Sequence, residues 1–543
     1  MKTILISIIM FLILYSSGFA QTLEERIKVL EDALKKQEQT IKEQQKIIEE
    51  LKSEIKQAKP PEQPEVAQPK ETPPFAPSEM KQAEPPEKRE VAQTKETPPP
   101  LAQEPQKTST LDTVKEVLFP KEGEPKKDIL SYRVGGATLR LIDLSFDGLF
   151  AAGSSTATND QLQILQNGDH DPRFRGFTVQ NVELSFAGAV DPYFNAEAHI
   201  VYLIDPIIGD TRVELEEAFF TTQKLPYEFQ LKGGLFLTEF GIINAQHPHQ
   251  WDWQDAPIIN TRLFGPDGMR GPGFRLGWLT PLPWYSEVYF GMQNANGETM
   301  ASFFANREFW DVRPVGGRPF VEGKVQSLND LTYLGRWVNS WDLSNEVTMK
   351  LGFSMAYGPN ATGSDAQTWI YGSDLKLKWR PVNNFRGWPF ILFQSEVMGR
   401  NYQAASFVSP GPDGIFRTAD DIRLPRETLK DWGLYSQLLW GFRNNWATGI
   451  RFEYVSGSGY DVHVDFQTGT VNIVPRNLDP YRNNRYRISP LLVWQPTEFS
   501  RFRLQFNYDH NQIPPLGFFP HRNYYSGWLG AEIMLGAHAA HKY

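Results

Sequence analysis

Residues 523–543 read NYYSGWLGAEIMLGAHAAHKY. Within them Leu529, Ala531, Ile533, Leu535, Ala537 and Ala539 alternate with Trp528, Gly530, Glu532, Met534, Gly536 and His538. A period of two describes a β-strand, because successive side chains leave the pleat on opposite faces. One face is apolar and the other is mixed. In a membrane barrel the apolar face meets lipid and the mixed face meets the lumen. The chain upstream must then supply partner strands, a route out of the cytoplasm and a use for a pore.

Composition agrees. The 543 residues carry a formal net charge of −9 and contain 40 Pro, 42 Gly and no Cys. A mean hydropathy of −0.43, with no interior apolar run of about 18 residues, excludes a helical membrane protein. It leaves a barrel open, since alternating strands average to mild hydropathy. The acidic balance argues against a nucleic-acid partner, which draws a basic footprint. Without Cys there are no disulfides, thiolate metal sites or lipoprotein anchor. Aromatic residues make up 13%, including 15 Trp, and suit interfacial girdles. Alternation reaching a final aromatic, Tyr543, also resembles the last strand of bacterial outer-membrane barrels.

The first part of the chain is of another kind. Residues 1–20 read as an export signal: Lys2, an apolar core from Ile4 to Tyr15, then Gly18-Phe19-Ala20. Over residues 21–59 the period becomes seven. Ile27, Leu34, Ile41, Ile48 and Ile55 share one core position, and Leu23, Leu30, Gln37, Gln44 and Leu51 the other. This predicts a coiled-coil oligomerisation helix, two- or three-stranded. Residues 60–107 form a Pro-rich spacer that repeats itself, Glu65–Pro74 returning as Glu90–Pro99. Such composition buries no core and extends as polyproline II, reaching on the order of 100 Å. Residues 108–133 are a lead-in with one short helix at Thr110–Phe119. The expected stalk stands in the periplasm, within reach of peptidoglycan.

From residue 134 to 543 the strand signal recurs, and we expect an all-β transmembrane β-barrel of about sixteen antiparallel strands. They fall near 137–152, 176–190, 193–205, 212–223, 229–241, 273–282, 285–295, 331–343, 346–358, 368–381, 389–402, 430–442, 446–457, 485–497, 499–511 and 523–538. An even number suits a barrel whose two chain ends share one side, and about sixteen leaves room for an aqueous channel. One local conflict stands out. Glu216-Glu217 puts adjacent carboxylates on a strand, so one faces lipid unless a bulge intervenes.

The charged face of these strands should line the pore. The candidates are Arg140, Lys232, Lys376, Lys378, Arg451, Arg501 and Arg503 against Asp143, Asp147, Glu183, Glu197, Asp374, Glu396 and Glu453. Rings of one sign set ion preference, and here the two signs balance. The connection Ile242 to Arg270 carries His247, His249, Trp251, Asp252, Asp255 and Arg262, and is expected to fold inward as a constriction. His247 and His249 with Asp252 form a candidate zinc site, since zinc takes three or four N or O ligands. A second loop, Pro410 to Pro425, offers Asp413, Asp420 and Asp421 as oxygen ligands for calcium, although a plain polar turn explains it better. No cofactor is required for a pore. No G-x-S-x-G, H-E-x-x-H or phosphate-binding glycine loop occurs, so no enzyme is expected.

The layout of signal, coiled coil, spacer and barrel resembles the phosphate-selective O and P porin family. Gly233-Gly234-Leu235-Phe236 through Phe240-Gly241 is similar to that family's strand leading into its constriction loop. His170-Asp171-Pro172, Val190-Asp191-Pro192-Tyr193-Phe194, His247-Pro248-His249, Asn260-Thr261-Arg262-Leu263-Phe264-Gly265 and Gly536-Ala537-His538 resemble a subgroup of uncharacterised porins. Some of these are labelled zinc-regulated TonB-dependent receptors. The resemblance implies a homotrimer among outer-membrane lipid and lipopolysaccharide, passing small hydrophilic solutes or anions such as phosphate. A receptor or metal-uptake protein using the His247 loop, and a cell-wall tether anchored by the barrel, are the alternatives.

Overall fold

The computed structural model describes residues 131–536, apart from 135–136, 141, 205–208, 314, 316–317, 411–412, 419–420, 458–459, 466–469, 476–481 and 513–518. The expected signal, stalk, spacer and most of the lead-in lie outside the described residues, as do His538 and His541.

Sixteen strands form a closed barrel. They are β1 (Asp143–Ser155), β2 (Gly176–Ala189), β3 (Phe194–Ile204), β4 (Thr211–Thr222), β5 (Phe229–Leu237), β6 (Arg270–Leu279), β7 (Tyr285–Asn294) and β8 (Leu331–Asp342). The circuit continues with β9 (Val347–Pro359), β10 (Gln367–Trp379), β11 (Phe390–Ala404), β12 (Glu427–Arg443), β13 (Trp446–Gly457), β14 (Arg485–Thr497), β15 (Ser500–Asn511) and β16 (Asn523–Gly536). Each strand pairs antiparallel with its neighbour in sequence, and β16 closes on β1 from Ser526–Ser155 to Gly536–Ser145.

Alternation in the sequence locates every one of these strands. The first is shorter than expected, because Ala137–Arg140 pairs with Ser131–Val134 in a separate hairpin. The period breaks at Leu141-Ile142, two adjacent apolar residues, and a new phase starts at Asp143. Arg140 therefore pairs with Ser131 outside the barrel sheet, a correction to its expected place in the pore wall. A further two-stranded sheet joins Phe407–Ser409 to Ile422–Leu424. In the loop between, the Asp413 and Asp421 carboxylates accept backbone N–H groups of Ile415 and Arg417, as a polar turn does.

The barrel is inside out relative to a soluble protein. On β16 Leu529 is 57% and Leu535 70% exposed, whereas Trp528 and Glu532 face inward at 0% and 1%. Leu504 and Phe506 likewise point out from β15 while Arg503 and Gln505 are buried. Exposed Trp278, Trp284, Trp440 and Trp494 stand at or just past the ends of even-numbered strands, where an aromatic girdle meets the bilayer interface. This is the exterior of a membrane-spanning barrel.

Its interior is not simply wet. Parts of three connections pack inside: Leu162 and Leu165 of α1 (Asn159–Leu165), the 238–269 loop with α2 (Ile258–Phe264), and Met300 and Phe303 with Trp310 of α3 (Arg307–Val312). Ile258, Ile259, Leu263 and Phe264 of α2 join Met300 and Phe303 against inward-facing Leu334, Ile370, Met398 and Val455. An apolar core thus sits within the lumen. Glycines on the wall make room for it: a Cβ at Gly433 would meet Ile259, and one at Gly530 would overlap Gln254.

Candidate functional site

The 238–269 loop lies inside the barrel, so its backbone polar groups need partners there. Wall side chains supply them. Glu396 on β11 accepts the N–H groups of Ile242 and Ile243, each at 3.0 Å. Glu453 on β13 accepts Ile258 N–H at 2.6 Å, capping the start of α2. Gln505 on β15 accepts Gln254 N–H at 2.9 Å. From the same side Arg501 donates to His249 O at 2.6 Å, Arg503 to Trp251 O at 3.0 Å, and Arg451 to Asp255 O at 2.9 Å. Arg262 of the loop donates to Asn483 O at 2.8 Å. Five residues expected to line an open pore or face it (Arg451, Glu453, Arg501, Arg503 and Glu396) instead grip the loop.

Asp255 is the hub of this grip. Fully buried, it takes an ion pair from Arg451 and another from Arg487 at 2.9 Å. Gln505, Asn507 and Gln166 donate to it at 2.8, 2.9 and 3.1 Å. Burial pushes its carboxyl up, but Arg451 and Arg487 outweigh that and hold it at about 2. Near the start of the loop Glu239 is bound by Lys232 at 2.9 Å and Arg275 at 2.8 Å. There too burial opposes the charge, and the two cations bring the carboxyl down to about 2.

The histidines occupy a different wall. His247 sits between two carboxylates, with Nδ1 3.0 Å from Glu216 and Nε2 2.8 Å from Glu217. The bulge anticipated at Glu216-Glu217 exists. Against β3, His199 pairs with Glu217 and Ile200 with Leu215, leaving Glu216 as the extra residue. Both carboxylates therefore turn inward and are buried. His249 Nδ1 lies 3.2 Å from Glu183, and His199 Nδ1 2.9 Å from the same carboxylate. Burial works against a charged His247, yet Glu183 and Glu216 hold its imidazole protonated well above the ordinary histidine range. Asp252, the third residue of the expected metal set, instead accepts from Gln437 at 3.3 Å. Glu183, Glu216 and Glu217 take its place beside the histidines.

A cavity of about 660 Å³ opens on the half of the lumen nearer Asp143 and Gly536. Asp143, Asp147, Glu197, His199 and Glu217 line one side, all from β1, β3 and β4. Lys232, Arg275, Arg336, Lys350 and Lys376 line the other, from β5 to β10. Glu239 and Glu287 line it among these cations. Several of these cations are spoken for: Lys232 and Arg275 by Glu239, and Arg336 by Asp374 at 2.6 Å. Lys350 and Lys376 are directly opposed across β9 and β10, and neither has a carboxylate within ion-pair distance among the described residues. Lys378 follows on the same strand, opposite Thr348. Lys350, Arg336, Arg487, Glu216 and Glu217 were not among the predicted site residues. The signal for each was a charge inside a strand, which alternation alone does not rank.

No protein-family model matches the chain. It is 30% identical over 348 residues to an uncharacterized protein of Aquifex aeolicus (strain VF5), a match spanning 61% of this chain and 63% of that one. The chain thus spans just under two thirds of that relative's length. Among solved structures, the outer membrane channel DcaP of Acinetobacter baumannii is 10% identical at a TM-score of 0.44, covering 73% of this chain and 97% of that one. An anion-selective porin from Comamonas acidovorans is 7% identical at 0.41, covering 73% and 99%.

Proposed function

We propose that this protein is an outer-membrane porin giving passive diffusion of small hydrophilic solutes and ions, with no covalent step. The observation that carries this reading is the charged cavity inside a membrane barrel, narrowed by a loop that wall side chains hold firmly in place. Fixed charges on the wall of such a cavity orient and select permeating ions. Anions, phosphate among them, are the favoured cargo, because the opposed Lys350 and Lys376 repel each other until an anion enters. In this proposal the barrel assembles as a homotrimer, and the N-terminal stalk faces the periplasm and peptidoglycan.

Single-channel conductance of the purified full-length protein in planar bilayers tests the proposal. Discrete open steps that depend on the anion, and a current reduced by added phosphate, are expected. Silent bilayers from correctly folded protein overturn it.

A further inference from the structure

We propose that Glu183, His199 and His247 form a binding site for a divalent transition-metal ion of the zinc class, with His249 beside it. One donor atom from each of the first three lies within 4.8 Å of the others. The residues come from β2, β3 and the lumen loop, so a metal here would displace the proton from His247 and tie the loop to the wall.

Three features point to a cation rather than to a closed hydrogen-bond network. The first is an unfilled acceptor. Glu183 Oε1 accepts from Ser185 at 2.7 Å and from His199 at 2.9 Å. Its other oxygen, Oε2, is buried and has no hydrogen bond, although His249 Nδ1 and His247 Nδ1 lie 3.2 and 3.5 Å away. Those separations match the edge of a tetrahedral zinc site, where bonds of about 2.0–2.1 Å set donors roughly 3.4 Å apart.

The second feature is the surrounding shell. Glu217 lies 2.8 Å from Nε2 of His247, while Nδ1 lies 3.0 Å from Glu216 and 3.5 Å from Glu183. A carboxylate behind a histidine is how metal-ligating imidazoles are oriented. The third is charge. Glu183, Glu216 and Glu217 crowd this spot, and Glu197 reaches 3.9 Å from His199 Nε2. Carboxylates outnumber the imidazoles, and a divalent ion offsets two of their charges. Imidazole donors select zinc-like ions over calcium or magnesium, which take oxygen shells.

The inference is independent of the channel reading, since binding is measured in detergent without any conductance. Zinc would be titrated calorimetrically into metal-free full-length protein lacking a histidine tag, and cobalt(II) followed by its visible spectrum. One zinc per chain and the intense visible bands of a four-coordinate cobalt(II) site are expected. His199→Ala and Glu183→Gln should each weaken zinc by at least about tenfold while the barrel keeps its folded mobility on unheated gels. If a variant does not fold, the wild-type cobalt spectrum decides alone. Folded wild-type protein without those bands overturns the site. So does zinc binding that survives His199→Ala and vanishes in a His538→Ala/His541→Ala variant.

Discussion

His247 Nε2 stands 2.8 Å from Glu217 Oε2, and the β-bulge that turns Glu217 inward also places Glu216 3.0 Å from the other ring nitrogen. A single loop histidine thus separates two adjacent buried carboxylates. Removing it with His247→Ala leaves like charges buried side by side. The variant should lose about 3–5 kcal/mol of stability, as when one partner of a buried ion pair is deleted. Urea unfolding of the detergent-solubilised barrel measures this.

Asp255 balances Arg451 and Arg487 within a buried part of the lumen. Asp255→Ala should therefore cost about 3–5 kcal/mol and loosen the loop, raising single-channel conductance and its noise. Arg487→Met in the same chain should recover part of the loss, because fewer uncompensated charges remain. A double-mutant cycle with a coupling of at least about 0.5 kcal/mol is the expected outcome.

Lys350 and Lys376 face each other across the β9–β10 ladder and line the cavity. Replacing both with Ala relieves their repulsion, so stability should hold or rise by a few tenths of a kcal/mol (about 0.2–1). Anion preference should fall. Reversal potentials under a potassium chloride gradient, moving toward the cation limit in the double variant, check the second part.

Acid should release the start of the loop late. The Glu239 carboxyl is lowered from 4.5 to about 2 by Lys232 and Arg275. A depressed carboxyl contributes stability above its unfolded value and loses it as the pH falls through the folded one. The current of the open channel should therefore be steady from neutrality to about pH 4.5 and grow noisy as the pH approaches 2. Glu239→Gln should be noisy at neutral pH and lack that acid limb.

Much of the fold is legible along the chain. Leu529, Leu535 and their neighbours repeat every second residue, and sixteen such runs become sixteen barrel strands. The conflict at Glu216-Glu217 is also legible, because two adjacent acids on a strand put one of them toward lipid unless a bulge intervenes, and the structure has the bulge. The loop at 242–270 announces itself by length and by its aromatic and polar content. What is not legible is the use of each charge. Arg451 and Arg503 carry the same alternation as Lys376, yet they hold loop carbonyls while Lys376 faces the cavity. Asp252 and Asp255 stand three residues apart in one loop, yet Asp255 forms ion pairs with Arg451 and Arg487 while Asp252 accepts from Gln437.

By itself, then, the sequence pointed to about sixteen strands, the facing of the clearly alternating ones and the place of the inserted loop. The choice of a membrane barrel over a soluble sandwich rested on the export signal, the terminal aromatic and the aromatic density. Strands and their facing follow from local periodicity, because a pleated strand converts spacing directly into facing. Tertiary structure alone decided that the lumen holds an apolar core around α2, that a cavity beside it is lined by charges of both signs, and that His199, His247, His249 and Glu183 converge. The physical reason is closure. Bending sixteen strands into a ring brings together residues far apart in the chain, such as Asp255 and Arg487, 232 positions apart. Which charge meets which depends on strand order, register and the path of the loop, none of which a period of two encodes.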